Sequence, residues 1–220
     1  MLTISISEEF RKIWPTMQLE CFICDVELEG YNSLLWEKIN KWCVKFRSSH
    51  QMGQISQIPA IASSRKAYKA SGKDPARYRL SAEALSRRVI KGIDLYQINN
   101  LVDSVNLASV RSGFSIGGYD LNQIEGDIVL SIGKPNEPYE GIGRGELNIE
   151  NLPVLRDRLG AFGSPTSDSE RTSVNMETKQ FLMIYFGFGA LQELNSAADF
   201  GEQLLKNFAQ AKNIHRFTVV

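Results

Sequence analysis

The stretch I-N-N-L-V-D-S-V-N-L-A-S-V-R-S-G-F-S-I-G-G-Y-D-L-N-Q-I-E-G-D-I-V-L-S-I, running from Ile98 to Ile132, decides the fold class. Its first part places Ile98, Leu101, Val102 and Val105 at the three-and-four spacing of one helical face, which predicts a helix to about Val110. Gly113 ends it. The period then changes. Phe114–Tyr119 and Asp127–Ile132 read as two strands in succession, with no helix between them. A helix followed by consecutive strands departs from the strict strand–helix alternation of a doubly wound sheet. It predicts an α+β fold, a mixed α/β single domain.

Towards the N-terminus, Leu80–Leu85 opens a helix with Ser81 as expected N-cap and Glu83 in its first turn; it runs to Lys91 and stops at Gly92. Arg65–Tyr68 reads as helical, Gly72-Lys73-Asp74-Pro75 as a turn, and Ile55–Ala62 as a short apolar segment interrupted by Pro59. Ser33 is the expected cap of a helix to about Phe46, with Leu35, Ile39, Trp42, Cys43 and Phe46 as its apolar stripe. Gln18–Glu29 reads as a strand with Leu19, Cys21, Ile23 and Val26 inward. Ile4–Ile6 is a short strand before a helix from Glu8 to Trp14. Towards the C-terminus, Gly133–Gly145 and Gly160–Arg171 read as polar loops and Phe181–Phe186 as a strand. Asn195 or Ser196 is the expected cap of a helix to about Ala211, striped by Phe200, Leu204, Phe208 and Ala211; Phe217–Val220 closes as an edge strand. No repeat and no Pro/Ser-rich linker divides the chain, so residues 1–220 are expected to form one domain.

With 43% hydrophobic and 23% charged residues over 220 positions, a disordered or fibrous chain is excluded. No run approaches the ~18 apolar residues of a membrane helix. Met1–Phe10 has neither a cationic start nor an apolar block, so a secretory signal is not expected; a cytoplasmic protein is. Three cysteines cannot all pair with one another, which favours a reducing compartment. Cys21 and Cys24 form a C-x-x-C inside a strand, where residues three apart point to opposite faces and share no metal. His50 and His215 lie in unrelated segments. The Gly141–Gly145 G-x-G-x-G lacks the strand–turn–helix frame of a nucleotide fingerprint, so no cofactor is expected. No strand–turn–helix nucleophile elbow and no P-loop is present. Catalysis, if any, would rest on positioned water, backbone amides and hydroxyl groups.

The charge is segregated although the net charge is zero. Between Arg65 and Lys91 stand nine basic residues against Asp74 and Glu83, a local +7 balanced by −7 elsewhere. Binding a phosphate backbone needs such a cluster of positioned cations; a solvated helical face with no partner would produce the same pattern.

Several segments in order carry a family resemblance: S-A-E-A-L-S-R-R-V-I-K-G (Ser81–Gly92), I-N-N-L-V-D-S-V-N (Ile98–Asn106), I-G-G-Y-D-L (Ile116–Leu121) and I-E-G-D-I-V-L (Ile124–Leu130), then G-S-P-T-S-D-S-E-R-T (Gly163–Thr172) and E-T-K-Q-F-L (Glu177–Leu182). Together they resemble the B3/B4 domain of the phenylalanyl-tRNA synthetase beta subunit, especially its free-standing bacterial relatives. The resemblance covers Ile61 to Phe188, with residues 1–60 and 189–220 as flanking additions packed on it. In the synthetase that domain is an editing module, hydrolysing tyrosine wrongly esterified to the phenylalanine tRNA. The resemblance therefore implies a mixed α/β fold, an aminoacylated tRNA as partner, and deacylation in trans. An aminoacyl ester is already activated, so a site that orients water and stabilises an oxyanion needs no nucleophile.

Residue by residue, the resemblance implies Asn106, at the end of the V-D-x-x-N motif, together with Thr166 and Ser167 as catalytic groups. Gly117, Gly118, Tyr119, Asp120 and Asp168 would hold the substrate. Gly117 falls where full-length bacterial synthetases carry a histidine in P-M-H-A-F-D, while Gly118, Tyr119 and Asp120 line up. The glutamate of the synthetase's G-G-E has no unambiguous counterpart; Thr166, Ser167 and Asp168 occupy its neighbourhood. Arg65, Lys66, Lys69, Lys73, Arg77 and Arg79 are the expected RNA-binding cations. Two further readings stand beside the deacylase: a non-catalytic tRNA- or RNA-binding module, and a small-molecule amino-acid-binding protein.

Overall fold

The computed structural model describes residues 2–220. Its most apolar segment, Q-F-L-M-I-Y-F-G, forms β9 (Gln180–Gly187), buried on both faces after its first residue. A strand of that kind belongs inside a sheet with both sides covered. It pairs antiparallel along its whole length with β2 (Gln18–Asp25), and on its other side with β3 (Ile116–Asp120). β10 (Lys212–Val219) adds to the free side of β2, giving the order β10-β2-β9-β3. The expected inward set of β2 is thus incomplete. Phe22 and Cys24, on the opposite face from Leu19 and Cys21, are buried as well, whereas Ile23 is half-buried.

One face of this sheet is closed by α5 (Asn100–Ser112) and α6 (Leu191–Phe208). Gly201 lets α6 approach: a Cβ there would lie 2.0 Å from the Tyr185 Oη. The other face looks towards a second sheet of order β1-β4-β7-β8, made of β1 (Ile4–Ile6), β4 (Ile128–Ile132), β7 (Pro153–Asp157) and β8 (Gly160–Gly163). A two-stranded hairpin, β5 (Glu140–Gly141) and β6 (Gly145–Glu146), is joined through Gly141 to Ser169 in the loop after β8. Four more α-helices are present among the described residues: α1 (Glu8–Ile13), α2 (Ser33–Ser49), α3 (Pro59–Ala70) and α4 (Ser81–Ile90). The α+β class is as expected.

Several local expectations need correction. Asn32, not Ser33, caps α2, its side chain accepting from the Leu35 N–H. Ser81 is the first helical residue of α4 rather than its cap; Leu80 precedes it without a side-chain bond. α6 begins at Leu191, well before Asn195 or Ser196, and buries Leu194, Ala198, Gly201, Leu204 and Leu205 while Phe200 and Phe208 stay half-buried. The two segments read as loops contain β5, the first residue of β6, and β8. Residues 1–60 supply β2, which lies between β9 and β10, so this portion is threaded through the fold rather than laid upon it.

Candidate functional site

Along β3 successive residues face opposite ways. Gly118 faces the helices: a Cβ there would meet Phe181 at 3.1 Å and Val105 of α5 at 3.8 Å. Gly117 and Tyr119 face the second sheet. The Tyr119 ring folds back over Gly117, where a Cβ would sit 1.9 Å from its Oη, and it also covers Gly163 of β8, where the distance would be 2.2 Å. Two glycines thus frame a slot, and a phenol fills it. Phe162 meets the Tyr119 ring edge to face, with centroids 5.0 Å apart.

The phenol ends on Asp168, donating to Oδ1 at 2.7 Å. Burial pushes the Asp168 carboxyl up to about 7, although the Tyr119 hydroxyl and the N–H groups of Gly118 and Ser164 favour its charged form. Burial, followed by the neighbouring Asp168 charge, holds the Tyr119 phenol well above its ordinary value, so it remains the donor of the pair. A carboxyl that titrates near neutrality can take a proton from water or return one.

The loop following β8 is fastened by two more tyrosines. Tyr68 of α3 shares a 3.0 Å hydrogen bond with the Thr166 hydroxyl, and both residues are buried. Tyr139 donates to the Ser167 carbonyl at 2.6 Å, as does Ser164 at 2.8 Å. The Ser81 N–H, at the head of α4, donates to the Pro165 carbonyl at 2.8 Å. Thr166 is therefore engaged inside the protein, while Ser167 is half-exposed beside Gly141. Tyr68 and Tyr139 were not anticipated from sequence. Each acts on a loop far along the chain, and no local pattern marks such a partner.

Asp120 and Asp103 are committed to the framework. Asp120 is buried and accepts from the Asn122 N–H at 3.0 Å and the Thr178 hydroxyl at 2.9 Å. Asp103 ties α2 to α5 by accepting from the Trp36 indole at 2.7 Å, and from the Ile98 N–H at 3.0 Å. Burial lifts its carboxyl above the ordinary value despite these bonds. Asn106 is half-exposed on α5, the helix that covers the Gly118 face of β3, whereas Gly117 and Tyr119 face away from it. Among the described residues its side chain makes no hydrogen bond.

The predicted cations divide. Arg65 is turned to a partner: it donates to the fully buried Glu83 carboxylate at 2.7 Å, and Arg87 takes the other oxygen at 2.9 Å. Lys73 and Arg77 flank the Tyr78 ring, at 4.4 and 5.7 Å from its centroid. Arg79 is half-buried and reaches the Ala76 carbonyl at 3.4 Å. Lys66, Lys69 and Arg77 are exposed without a salt bridge among the described residues, so the cationic face consists of α3 and the segment after it.

A depression of about 600 Å³ runs between the β5–β6 hairpin and β8, lined by Tyr139, Glu140, Glu146, Leu159, Ser169 and Arg171 among others. Its arginine is held in a two-bond pair by Asp157, at 2.9 and 3.0 Å, and Glu140 and Glu146 are exposed directly opposite each other across the hairpin. That surface repels a polyanion. A smaller one, about 290 Å³, lies against α3, where Trp14 and Phe188 join Lys66.

Residues 63–203, more than half of the chain, match the B3/4 domain family. Among solved structures, the fold is similar to an N-terminal fragment of the phenylalanyl-tRNA synthetase beta-subunit from Pyrococcus horikoshii, with a TM-score of 0.51 at 13% identity. The similarity covers 100% of this chain and 54% of that one, so the chain spans about half the length of the fragment. No curated protein matches significantly.

Proposed function

Because the chain belongs to the B3/4 domain family, we propose that it binds tRNA through α3 and the segment after it, and hydrolyses a mischarged aminoacyl-tRNA in trans. The observation that carries this reading is the double role of α3. Its outer side presents Lys66 and Lys69 to solvent, while its buried Tyr68 grips Thr166 in the loop that holds Asp168. A phosphate backbone on the outer side would thereby be positioned relative to the loop by one rigid element. Asp168 is the general base in this reading. It accepts a proton as water adds to the ester carbonyl, and the carbon–oxygen bond to the ribose then breaks with return of a proton to the leaving hydroxyl. Ser167 is a secondary group in it, the Thr166 hydroxyl serves to hold the loop, and Asn106, on the helix behind β3, takes no part in the proton transfer.

Deacylation of a panel of mischarged tRNAs under single-turnover conditions tests the proposal. Asp168→Asn should lower the rate by about 100- to 10,000-fold, the range typical of a lost general base, while tRNA affinity holds. Asn106→Ala should have the smaller effect, because its helix covers the other face of β3. A second reading, non-catalytic tRNA binding, is favoured by the internal engagement of both the Tyr119 and Thr166 hydroxyls. Tight tRNA binding with every ester left intact would select it.

A further inference from the structure

We propose that the loop after α4 and the side of α2 beside it form a docking surface for an acidic segment of a partner protein that carries apolar side chains on one face. The loop, residues 92–98, runs back along α2. A Cβ on Gly92 would lie 3.8 Å from the Arg47 guanidinium, and the Cys43 thiol feels the Asp94 charge. The Ile98 N–H shares the Asp103 carboxylate with the Trp36 indole. This packing buries Trp36 and Cys43 of α2 and Leu95 of the loop. It leaves Ile93, Tyr96 and Ile98 of the loop 46%, 53% and 55% exposed, and Val44, the next residue round α2 from Cys43, 61% exposed. Large apolar side chains gathered on two adjoining segments make a patch rather than single scattered exposures, and such patches mark interaction sites.

The loop is held in place, so presenting these side chains costs little ordering on binding. Leu95 anchors its middle, and the Arg88 guanidinium donates to the Asp94 carbonyl. The same guanidinium lies over the Tyr96 ring, 4.0 Å from its centroid. Tyrosine and arginine are residues that protein interfaces favour. The surrounding charge selects the partner. Lys45, Arg47, Arg88 and Lys91 adjoin the patch and Asp94 opposes them; none of these is in a salt bridge among the described residues. A second copy docked on the same patch by a twofold would bring like charges together. An RNA backbone would meet the cations but bring nothing apolar to cover Val44, Ile93 and Ile98. A protein segment with carboxylates beside apolar side chains satisfies both halves of the surface. This surface is independent of the function proposed above.

The test titrates the full chain into fluorescently labelled peptides of about five helical turns, followed by anisotropy. The first peptide has leucine on one face and glutamate elsewhere. The second replaces each glutamate by lysine, and the third replaces each leucine by serine. The leucine–glutamate peptide should saturate, with the other two at least about tenfold weaker. Val44→Ser combined with Ile98→Ser should weaken its binding about 10- to 100-fold, with the melting temperature unchanged because both positions are exposed. Arg47→Glu should weaken it about 2- to 10-fold, and by less as salt is raised. The double serine variant should keep wild-type tRNA affinity. No saturation, equal binding of the lysine peptide, or an affinity that survives the double serine substitution would each overturn the assignment. So would a dimer in light scattering that those substitutions dissolve, which gives the patch to a second copy, or a loss of tRNA affinity in them, which gives it to RNA.

Discussion

Replacing Asp168 by Asn removes a carboxyl whose environment makes folding depend on pH. In the folded protein burial raises it from 3.8 to about 7, so between those values the native state holds a proton that the unfolded chain releases. Stability supplied by this group is therefore fully present below the ordinary carboxylate range, and is lost as pH rises through about 7. Such a rise corresponds to about 4 kcal/mol as an upper bound, at about 1.4 kcal/mol for each tenfold change in proton affinity. The side chain is half-buried, so residual contact with water should reduce the observed effect to about 2 kcal/mol. Urea denaturation of wild type and Asp168→Asn from about pH 4 to about pH 8 measures it. The stability difference, wild type minus variant, should fall steadily with pH and level off above about 7. Tyr119→Phe supplies a control: the carboxylate loses the donor that favours its charge, so the fall should move to higher pH. A difference that stays constant across the range, or that grows with pH, would refute the assignment of a raised value to Asp168.

The remaining predictions concern packing and charge. Gly117→Ala should destabilise by about 1–3 kcal/mol or more, since the new Cβ would lie 1.9 Å from the Oη of a fully buried ring. Adding Tyr119→Ala should abolish that penalty in a double-mutant cycle read by chemical denaturation, and Gly117→His alone should fold less well than Gly117→Ala. Glu83→Gln should lower the melting temperature, with a loss of about 3–5 kcal/mol, because two arginines would be left facing a neutral side chain at a buried position. Joint replacement of Lys66, Lys69 and Arg77 by Ala should leave stability near wild type and reduce the slope of log affinity for tRNA against log salt by about one for each lost phosphate contact. Arg65→Ala should instead reduce stability more than tRNA binding, because its guanidinium is held by Glu83.

Local signals carried much of the fold. The apolar period from Ile98 to Val110 and the stop at Gly113 specify α5, whose C-cap glycine has φ +79°. The change of period after it specifies β3 and β4, and the all-apolar run after Gln180 specifies β9. Such periodicities are one-dimensional and survive without knowledge of the partner. β7 and β8 escaped because Pro153 opens one and glycines bracket the other; they are strands because Leu130 and Ser131 of β4 pair with Leu155 and Val154, and β7 in turn pairs β8. The cationic window was equally legible as composition, yet composition cannot tell a free guanidinium from a paired one. Arg87 and Glu83 stand one turn apart on α4, a local pair, but only the tertiary fold brings Arg65 of α3 to the same carboxylate, which withdraws a second charge from the face that Lys66 and Lys69 still present. The sequence by itself determined the class of fold, the family and the segregation of charge, because helix, strand and charge patterns are written in neighbouring residues. The tertiary structure alone decided that Tyr119 fills the slot between Gly117 and Gly163 and shares its proton with Asp168. Burial and hydrogen-bond partnership arise between segments that meet only after the chain has folded.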